Sequence, residues 1–206
     1  MKIKNYLAII LLLSGPAYFS NAQVATIPFT SALDTFGVIN GTVLDAPNVD
    51  DVVYKNLPIG FTLDLGGNLY DKMSINTNGY LELDTNGTPT FVNILGGSRN
   101  NLVAPFAADL IHHLPNASLQ YTTIGTAPNR ITIVQWLHYS YFGNSGDVSF
   151  QIWMYETTNC IKFIYGANNY AATPFQTQIG IRGDTISDFI VLRDTTCNWA
   201  HAYPFP

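Results

Sequence analysis

Acidic and imidazole side chains form a first group of residues that suggests metal chemistry. Asp109 lies close to His112 and His113 in the sequence, and carboxylate and imidazole groups are ligands that suit zinc and similar ions. Adjacent histidines on an extended segment point to opposite sides, so both would bind one ion only from a loop. No third strong ligand stands nearby. A solvated loop with a structural aspartate is therefore the alternative interpretation.

A second group offers oxygen donors in one acidic segment. It comprises Asp45, Asn48, Asp50 and Asp51. Calcium takes about six to eight oxygen ligands from loops of this kind. The spacing does not match that of an EF-hand, and a polar turn accounts for the same residues without an ion. We expect no resident cofactor, with calcium as the one ion that this segment suggests.

Two further sets contain residue types that hydrolases use. Asp109 and Glu156 would supply the protonated and the ionised carboxyl group that glycoside hydrolysis needs. Ser149, His138 and Asp147 are the residue types of a catalytic triad, but no nucleophile-elbow motif surrounds the serine. Nothing in the sequence places either set in a working geometry. We therefore expect a chain that is not an enzyme, with a glycoside hydrolase on a sandwich scaffold as the remote alternative.

Aromatic residues suggest a different kind of site. Those of interest are Trp136, Tyr139, Tyr141, Phe142, Trp153 and Tyr155. If several shared an outer face, they would stack on sugar rings as in a carbohydrate-binding module. Packing in the core and across strands is the alternative, because aromatic residues favour both.

Loops are where recognition would fall on a rigid scaffold, because loops tolerate the variation that binding requires. The loops that attract attention are 96–101, 109–117 and 142–147. Their candidate ligand-binding residues are Asn100, Asn101, Phe142 and Asn144.

The N-terminus has the pattern of a cleaved signal peptide covering residues 1–22. A basic start, Met1–Lys4, precedes an apolar run, Leu7–Leu13, and small residues define a cleavage site between Ala22 and Gln23. The run is much shorter than the roughly 20 residues of a membrane span. We expect a secreted or cell-surface protein that is not inserted in the membrane after cleavage.

The charge of the chain bears on the class of partner, and its cysteine content bears on whether a disulfide forms. Charged residues are 11% of the chain, with a net charge of −5 and no basic patch, which argues against nucleic acid as a partner. Two cysteines, Cys160 and Cys197, stand at wide spacing. In an exported protein such a pair is typical of one disulfide, and two unpaired buried thiols are the alternative.

Alternation of apolar and polar residues predicts short strands throughout the mature chain. In the first half it predicts strands at Gly60–Leu65, Lys72–Thr77, Gly79–Leu83 and Thr90–Ile94. In the second half it predicts three hairpins, at Ser118–Tyr139, Asp147–Tyr165 and Gln176–Leu192. Residues 23–50 form a lead segment expected to pack on the sandwich, with an edge strand at Ala25–Phe29. The pattern predicts an all-β fold, a single antiparallel β-sandwich built from hairpins.

Five sequence signatures, in a fixed order, resemble a known family. They are Asp50-Asp51 with Leu57–Phe61, Ile75–Leu81, Val103–Leu110, Ala127–Trp136, and Phe150–Glu156 with Ile161–Gly166. Together they resemble the nidogen-like extracellular domain, in the version found in large secreted or surface proteins of bacteria. The resemblance covers about residues 50–192, within a domain that we place at 51–206.

The resemblance implies an extracellular, non-enzymatic module of adhesive or scaffolding surface proteins, without shared catalytic residues. Its partner would be an extracellular protein or glycan. One departure stands at Ala107, where the family pattern has an aromatic residue; this change would loosen local packing without changing the fold.

Overall fold

The computed structural model describes residues 24–89, 98–143, 146–166, 168–170, 175–193 and 196–197. The predicted signal peptide and the predicted strand at Thr90–Ile94 lie outside these residues. The elements are a 3₁₀ turn at Val24–Thr26 and fifteen strands: β1 Thr42–Val43, β2 Val53–Leu65, β3 Asn68–Asn76, β4 Tyr80–Glu82, β5 Leu102–Ala107, β6 Leu110–Ile111, β7 Ser118–Ile124, β8 Ile131–Tyr141, β9 Gly146–Tyr155, β10 Ile161–Tyr165, β11 Asn169–Tyr170, β12 Phe175–Gln176, β13 Gln178–Arg182, β14 Phe189–Arg193 and β15 Thr196–Cys197.

The strands form two antiparallel sheets packed together, as the sequence predicts. Sheet I has the order β1-β7-β8-β9-β10, with β6 added on β8 and β11 on β9, and sheet II has the order β14-β13-β5-β4-β3-β2. The short strands β12 and β15 pair with each other in a separate two-stranded sheet. The three hairpins predicted for the second half correspond to β7–β8, β9–β10 and β13–β14. The chain is therefore an all-β sandwich.

The core lies between the sheets and is built around a row of stacked aromatic rings. Phe150 of sheet I stacks on Trp136 with ring centroids 5.1 Å apart and on Phe106 of sheet II at 5.2 Å. All three rings are fully buried. The indole Nε1 of Trp136 also donates a hydrogen bond of 2.9 Å to the backbone carbonyl of Asn76 in sheet II. Phe150 thus joins the two sheets by ring stacking, and Trp136 joins them by a hydrogen bond.

A bulge in β8 keeps its aromatic residues facing the core. The register with β9 shifts between Trp136 and Tyr139, and His138 has a positive φ of 54°. An extra residue in one strand shifts the alternation of side chains by one position. As a result, Val134 and Trp136 before the bulge, and Tyr139 after it, are all part of one buried cluster.

The outer face of sheet I is crossed by residues 34–41, which we call the strap. It has no regular secondary structure, and its backbone is hydrogen-bonded to side chains of sheet I: Gln120 on β7, Gln135 on β8 and Gln151 on β9. The strap explains why Gln135 and Gln151 are fully buried although they point away from the core.

The predicted edge strand at Ala25–Phe29 is wrong. Val24 is completely buried in the core cluster, and Ile27 donates its backbone N–H to Val24 at 3.0 Å to close the 3₁₀ turn. The backbone N–H of Ala25 donates to the Asp188 carboxylate at 3.1 Å. The local backbone donors are thus used in a turn and a side-chain contact, so no sheet ladder forms there.

No helix in the described part of the chain is long and apolar enough to cross a membrane.

Candidate functional site

Three carboxylates from two distant segments meet at one end of the sandwich. Oxygen atoms of Asp50, Asp51 and Asp109 lie within 4.8 Å of one another. We call this group the acidic corner. Asp50 forms an isolated antiparallel bridge with Ile111 of β6, and Asp109 stands one residue before that strand. Pairing of the acidic segment with β6 therefore brings the three side chains together.

The turn between β3 and β4 holds the acidic corner in place through hydrogen bonds of Asn78. Asn78 is fully buried; its Nδ2 donates to Asp51 at 2.7 Å, and its Oδ1 accepts the backbone N–H of Leu110 at 2.7 Å. The next residue, Gly79, has a φ of +76°, and a Cβ placed there would lie 2.0 Å from the Phe106 carbonyl oxygen. Only glycine fits this position. The Asn-Gly step thus fixes both acidic segments to the turn.

Burial, and secondly mutual repulsion, disfavour the charged forms of Asp50 and Asp109 in the acidic corner. Burial raises the pKa of Asp50 above its ordinary value, and the charges of Asp51 and Asp109 raise it further. Burial and the charge of Asp51 likewise raise the pKa of Asp109. The Oδ1 atom of Asp50 is buried and has no hydrogen-bond partner among the described residues. Neutralisation of one carboxylate, by a proton or by a cation, would relieve this repulsion.

The structure combines the candidate metal ligands differently from the two sets that the sequence suggests. Asp50 and Asp51 join Asp109, whereas His112 turns away to the Asp45 carboxylate, with its Nδ1 2.7 Å from Asp45 Oδ2. His113 is exposed. The acidic corner offers carboxylate oxygens alone, a donor set that suits a hard cation such as calcium rather than zinc.

The Asp45 carboxylate is the centre of a buried polar network at the same end of the sandwich as the acidic corner. Its side chain is 0% exposed and accepts the backbone N–H of Leu119 at 2.7 Å. It also accepts a hydrogen bond from the hydroxyl of Tyr139. Burial, followed by the Asp45 charge, raises the pKa of Tyr139, so the phenol remains a donor. The backbone N–H of Asn48 joins the same segment to the chain just after β6 by donating to the His112 carbonyl at 2.7 Å.

The three triad residue types meet, but not in a triad geometry. The Nδ1 atom of His138 lies 2.8 Å from Asp147 Oδ2. The hydroxyl of Ser149, however, accepts a hydrogen bond from the backbone N–H of His138 at 3.0 Å. In a triad the serine bonds to the second ring nitrogen of the histidine. Here the serine completes the bulge in β8, which is a structural role.

Asp109 and Glu156 lie at opposite ends of β8. The Phe142 N–H, just after β8, donates to the Asp109 carbonyl, and the Glu156 N–H donates to the Arg130 carbonyl just before it. Eleven residues of strand at about 3.3 Å each place the two ends of β8 more than about 30 Å apart, whereas the two carboxylates of a glycosidase lie about 5–10 Å apart. Glu156 is paired with Arg130, whose hydrogen bonds lower the pKa of Glu156 to about 2.

The aromatic residues do not form an outer platform. Trp136, Tyr139 and Tyr141 are at most 2% exposed. Trp153 and Tyr155 are half-buried on the outer face, with their rings tilted by 35°. Lys162 Nζ lies 5.9 Å from the centre of the Trp153 ring. Phe142 is 52% exposed and stands apart from that pair, at the acidic corner.

The predicted binding loops lie at two different ends of the sandwich. The loops 109–117 and 142–147 adjoin, because Phe142 bonds to Asp109. The described part of loop 96–101 lies at the other end of β5, where Asn100 Nδ2 donates to the Asp184 carbonyl at 2.8 Å and Asn101 Oδ1 accepts from Tyr70 at 2.9 Å. Asn144 lies outside the described residues. Asn100 thus joins two loops, Asn101 bonds to a residue of β3, and Phe142 is the exposed candidate.

Cys160 is exposed, one residue before β10. The backbone of Cys197 pairs with Phe175, but its side chain lies outside the described part. The disulfide stays a prediction.

The fold and this arrangement define a β-sandwich module with a cluster of three carboxylates at one end. A family model described as "NIDO related" matches residues 27–203. The chain belongs to this NIDO-related family, and the nidogen-like resemblance seen in the sequence is confirmed. No curated protein and no solved structure matches the chain.

The raised pKa of Asp50 leads to a pH prediction. Because folding disfavours its charged form, wild-type stability falls as pH rises from the unfolded value of 3.8 through the higher folded pKa. Asp50→Asn should therefore raise the free energy of unfolding at pH 7 by up to about 1 kcal/mol, and the gain should vanish below pH 3.8. Urea unfolding across pH measures it.

The matched control is Asp71→Asn, an exposed aspartate on β3, for which we expect a change within about 0.5 kcal/mol at every pH. A loss of stability at pH 7 in Asp50→Asn, absent at pH 3, would contradict the repulsion and would mean that the carboxylate is stabilised by a bound cation.

Proposed function

We propose that the chain is a secreted or cell-surface, non-enzymatic module for adhesion or extracellular scaffolding. Membership in the NIDO-related family over residues 27–203 carries this proposal. The placement of the hydrolase-type residues supports it, because Ser149 bonds to the backbone of His138 and Glu156 is paired with Arg130. The predicted signal peptide of residues 1–22 is the basis for the extracellular location.

The binding surface that we propose is the end of the sandwich formed by residues 46–51, 109–113 and 142–143, which includes the acidic corner. Three features support it. The surface has loops on a rigid scaffold, an exposed aromatic side chain in Phe142, and charged or titratable side chains beside it in Asp109 and His113. An exposed aromatic beside polar groups is a common anchor in protein interfaces. The partner would be an extracellular protein, with a glycan as the alternative.

The test begins with an array of extracellular matrix proteins and glycans probed with the mature chain. Against the partner found there, Phe142→Ser should weaken binding at least tenfold while leaving the melting temperature within about 2 °C, because the ring is exposed and has little packing to lose. Surface plasmon resonance and a thermal scan measure the two quantities.

Ile186→Ser is the matched control. Ile186 is 61% exposed in the loop between β13 and β14, at the opposite end of β5 from Asp109. This variant should bind like the wild type. Equal losses in both variants would contradict the proposed surface, and a glycan hit would establish the alternative partner. Turnover of a polysaccharide or peptide that is abolished by Asp109→Asn or Glu156→Gln, without loss of fold, would overturn the non-enzymatic proposal.

A further inference from the structure

A row of three glutamines crosses sheet I on its outer face. Gln120, Gln135 and Gln151 are in register on three neighbouring strands, since Gln120 pairs with Gln135 and Gln135 pairs with Gln151. Each points outward, because its neighbours along the strand contribute to the core cluster. We call this set the glutamine row.

The glutamine row binds the backbone of every second strap residue. Gln151 Nε2 donates to the Gly37 carbonyl at 2.7 Å, Gln135 Oε1 accepts the Ile39 N–H at 3.0 Å, and Gln120 Oε1 accepts the Gly41 N–H at 3.2 Å. A spacing of two residues is that of an extended chain. Two extended residues advance about 6.6 Å, enough to reach from one strand to the next at about 4.8 Å.

Two strap side chains, Asp34 and Phe36, make anchoring contacts at one end of the strap. Asp34 forms an ion pair with Lys162 on β10. The Phe36 ring covers Gly166 so closely that a Cβ there would lie 3.2 Å from it. Farther along, Val38 is 65% exposed and Asn40 is exposed. Recognition along the glutamine row is thus recognition of an extended main chain, with a carboxylate and an aromatic ring selected at one end.

The resident strap leaves one buried donor of the glutamine row unused. Gln135 is 0% exposed, yet its Nε2 has no hydrogen-bond partner among the described residues. Its Oε1 accepts two bonds, from Ile39 and from Gln151, so the side-chain amide is held with its NH₂ group beneath the strap. A buried donor without an acceptor costs free energy. A bound segment that places a carbonyl oxygen beside Gln135 Nε2 would accept the hydrogen bond that the strap leaves unmade.

From these observations we propose that the outer face of sheet I is a binding site for an extended peptide segment of another protein, which displaces the strap. The ligand class is an extended segment with an acidic residue at the Asp34 position and an aromatic residue at the Phe36 position, recognised at the glutamine row through its backbone. The strap occupies the site in the free chain. This site is separate from the acidic corner and does not depend on the proposed adhesive role.

The test uses the full chain and a fluorescein-labelled peptide with the sequence of Ser31–Val43. The double variant Asp34→Ala/Phe36→Ala weakens the resident strap, while the peptide keeps both anchors. Fluorescence anisotropy should show the peptide binding this variant at least tenfold more tightly than the wild type. Adding Gln135→Leu to the double variant should reduce that binding at least tenfold. No improvement in the double variant would overturn the proposal.

Methylated peptides test the backbone contacts without altering the protein. A peptide methylated at the Ile39 nitrogen loses the donor to Gln135 and should bind at least tenfold more weakly. The matched peptide methylated at the Val38 nitrogen should bind within threefold of the unmodified one. In the wild-type chain, a saturating excess of peptide should accelerate hydrogen exchange of the Ile39 amide at least fivefold, a readout that does not require the variants to fold. Equal binding of the two methylated peptides, or unchanged exchange, would overturn the proposal.

Discussion

Replacing Trp136 with alanine is expected to lower the free energy of unfolding by about 3–5 kcal/mol. The ring is 0% exposed and stacks on Phe150, so truncation leaves a cavity at the centre of the sandwich. It also removes the donor to the Asn76 carbonyl, which would remain buried without that partner. Urea unfolding monitored by far-ultraviolet circular dichroism measures the change.

Two variants separate the components of this loss. Trp136→Phe keeps an aromatic ring beside Phe150 but lacks the indole N–H, so it should cost about 1–3 kcal/mol. Trp153→Ala makes the same truncation at a half-buried outer position and should cost less than half as much as Trp136→Ala. A loss below about 2 kcal/mol for Trp136→Ala would contradict a close-packed core at this site.

Local pattern was sufficient to predict the hairpins of this fold. In β9, side chains alternate between core and outer face, and the segment that connects it to β10 carries the turn residue Asn159, so sequence periodicity identifies the β9–β10 hairpin. Ala25–Phe29 shows the limit of this approach. Its apolar residues were consistent with a strand, but the burial of Val24 and the contact with Asp188 are tertiary interactions that no local pattern contains.

The candidate site was predicted in pieces but not as a whole. Asp50, Asp51 and Asp109 were all identified by residue type, yet the sequence separates them by almost sixty positions and assigns them to different ions. Their meeting depends on the bridge between Asp50 and Ile111. Pairing between distant segments sets such contacts, and it leaves no local periodicity.

The glutamine row was missed for a related reason. Each glutamine alternates with core residues and is typical of a solvent-facing strand position. The register of the strands is the signal that could have found it, because three glutamines that pair across three adjacent strands form a polar row across the sheet. Hairpin pairing of Gln120 with Gln135 and of Gln135 with Gln151 would have shown the row, but not that residues 34–41 cover it.

The buried carboxylate of Asp45 is expected to be a second position of large effect. Asp45→Ala should lower the free energy of unfolding by about 3–5 kcal/mol, because it leaves His112, Tyr139 and the Leu119 N–H buried without their shared acceptor. The network joins the lead segment to β7, β8 and the chain after β6. Its loss therefore removes contacts from both segments that build the acidic corner. Urea unfolding at pH 7 measures the loss.

A double-mutant cycle with Tyr139→Phe tests whether the network is the cause. Alone, Tyr139→Phe removes one donor and should cost about 1–2 kcal/mol. In the Asp45→Ala background the same change should cost at least 1 kcal/mol less, because the hydroxyl has already lost its acceptor. Asp184→Ala, at an exposed aspartate, is the control and should change stability by less than about 0.5 kcal/mol. If the two losses were additive in the cycle, Asp45 would act through a residue other than Tyr139. If Asp45→Ala alone cost less than about 1 kcal/mol, the buried network would contribute little to the stability of the sandwich.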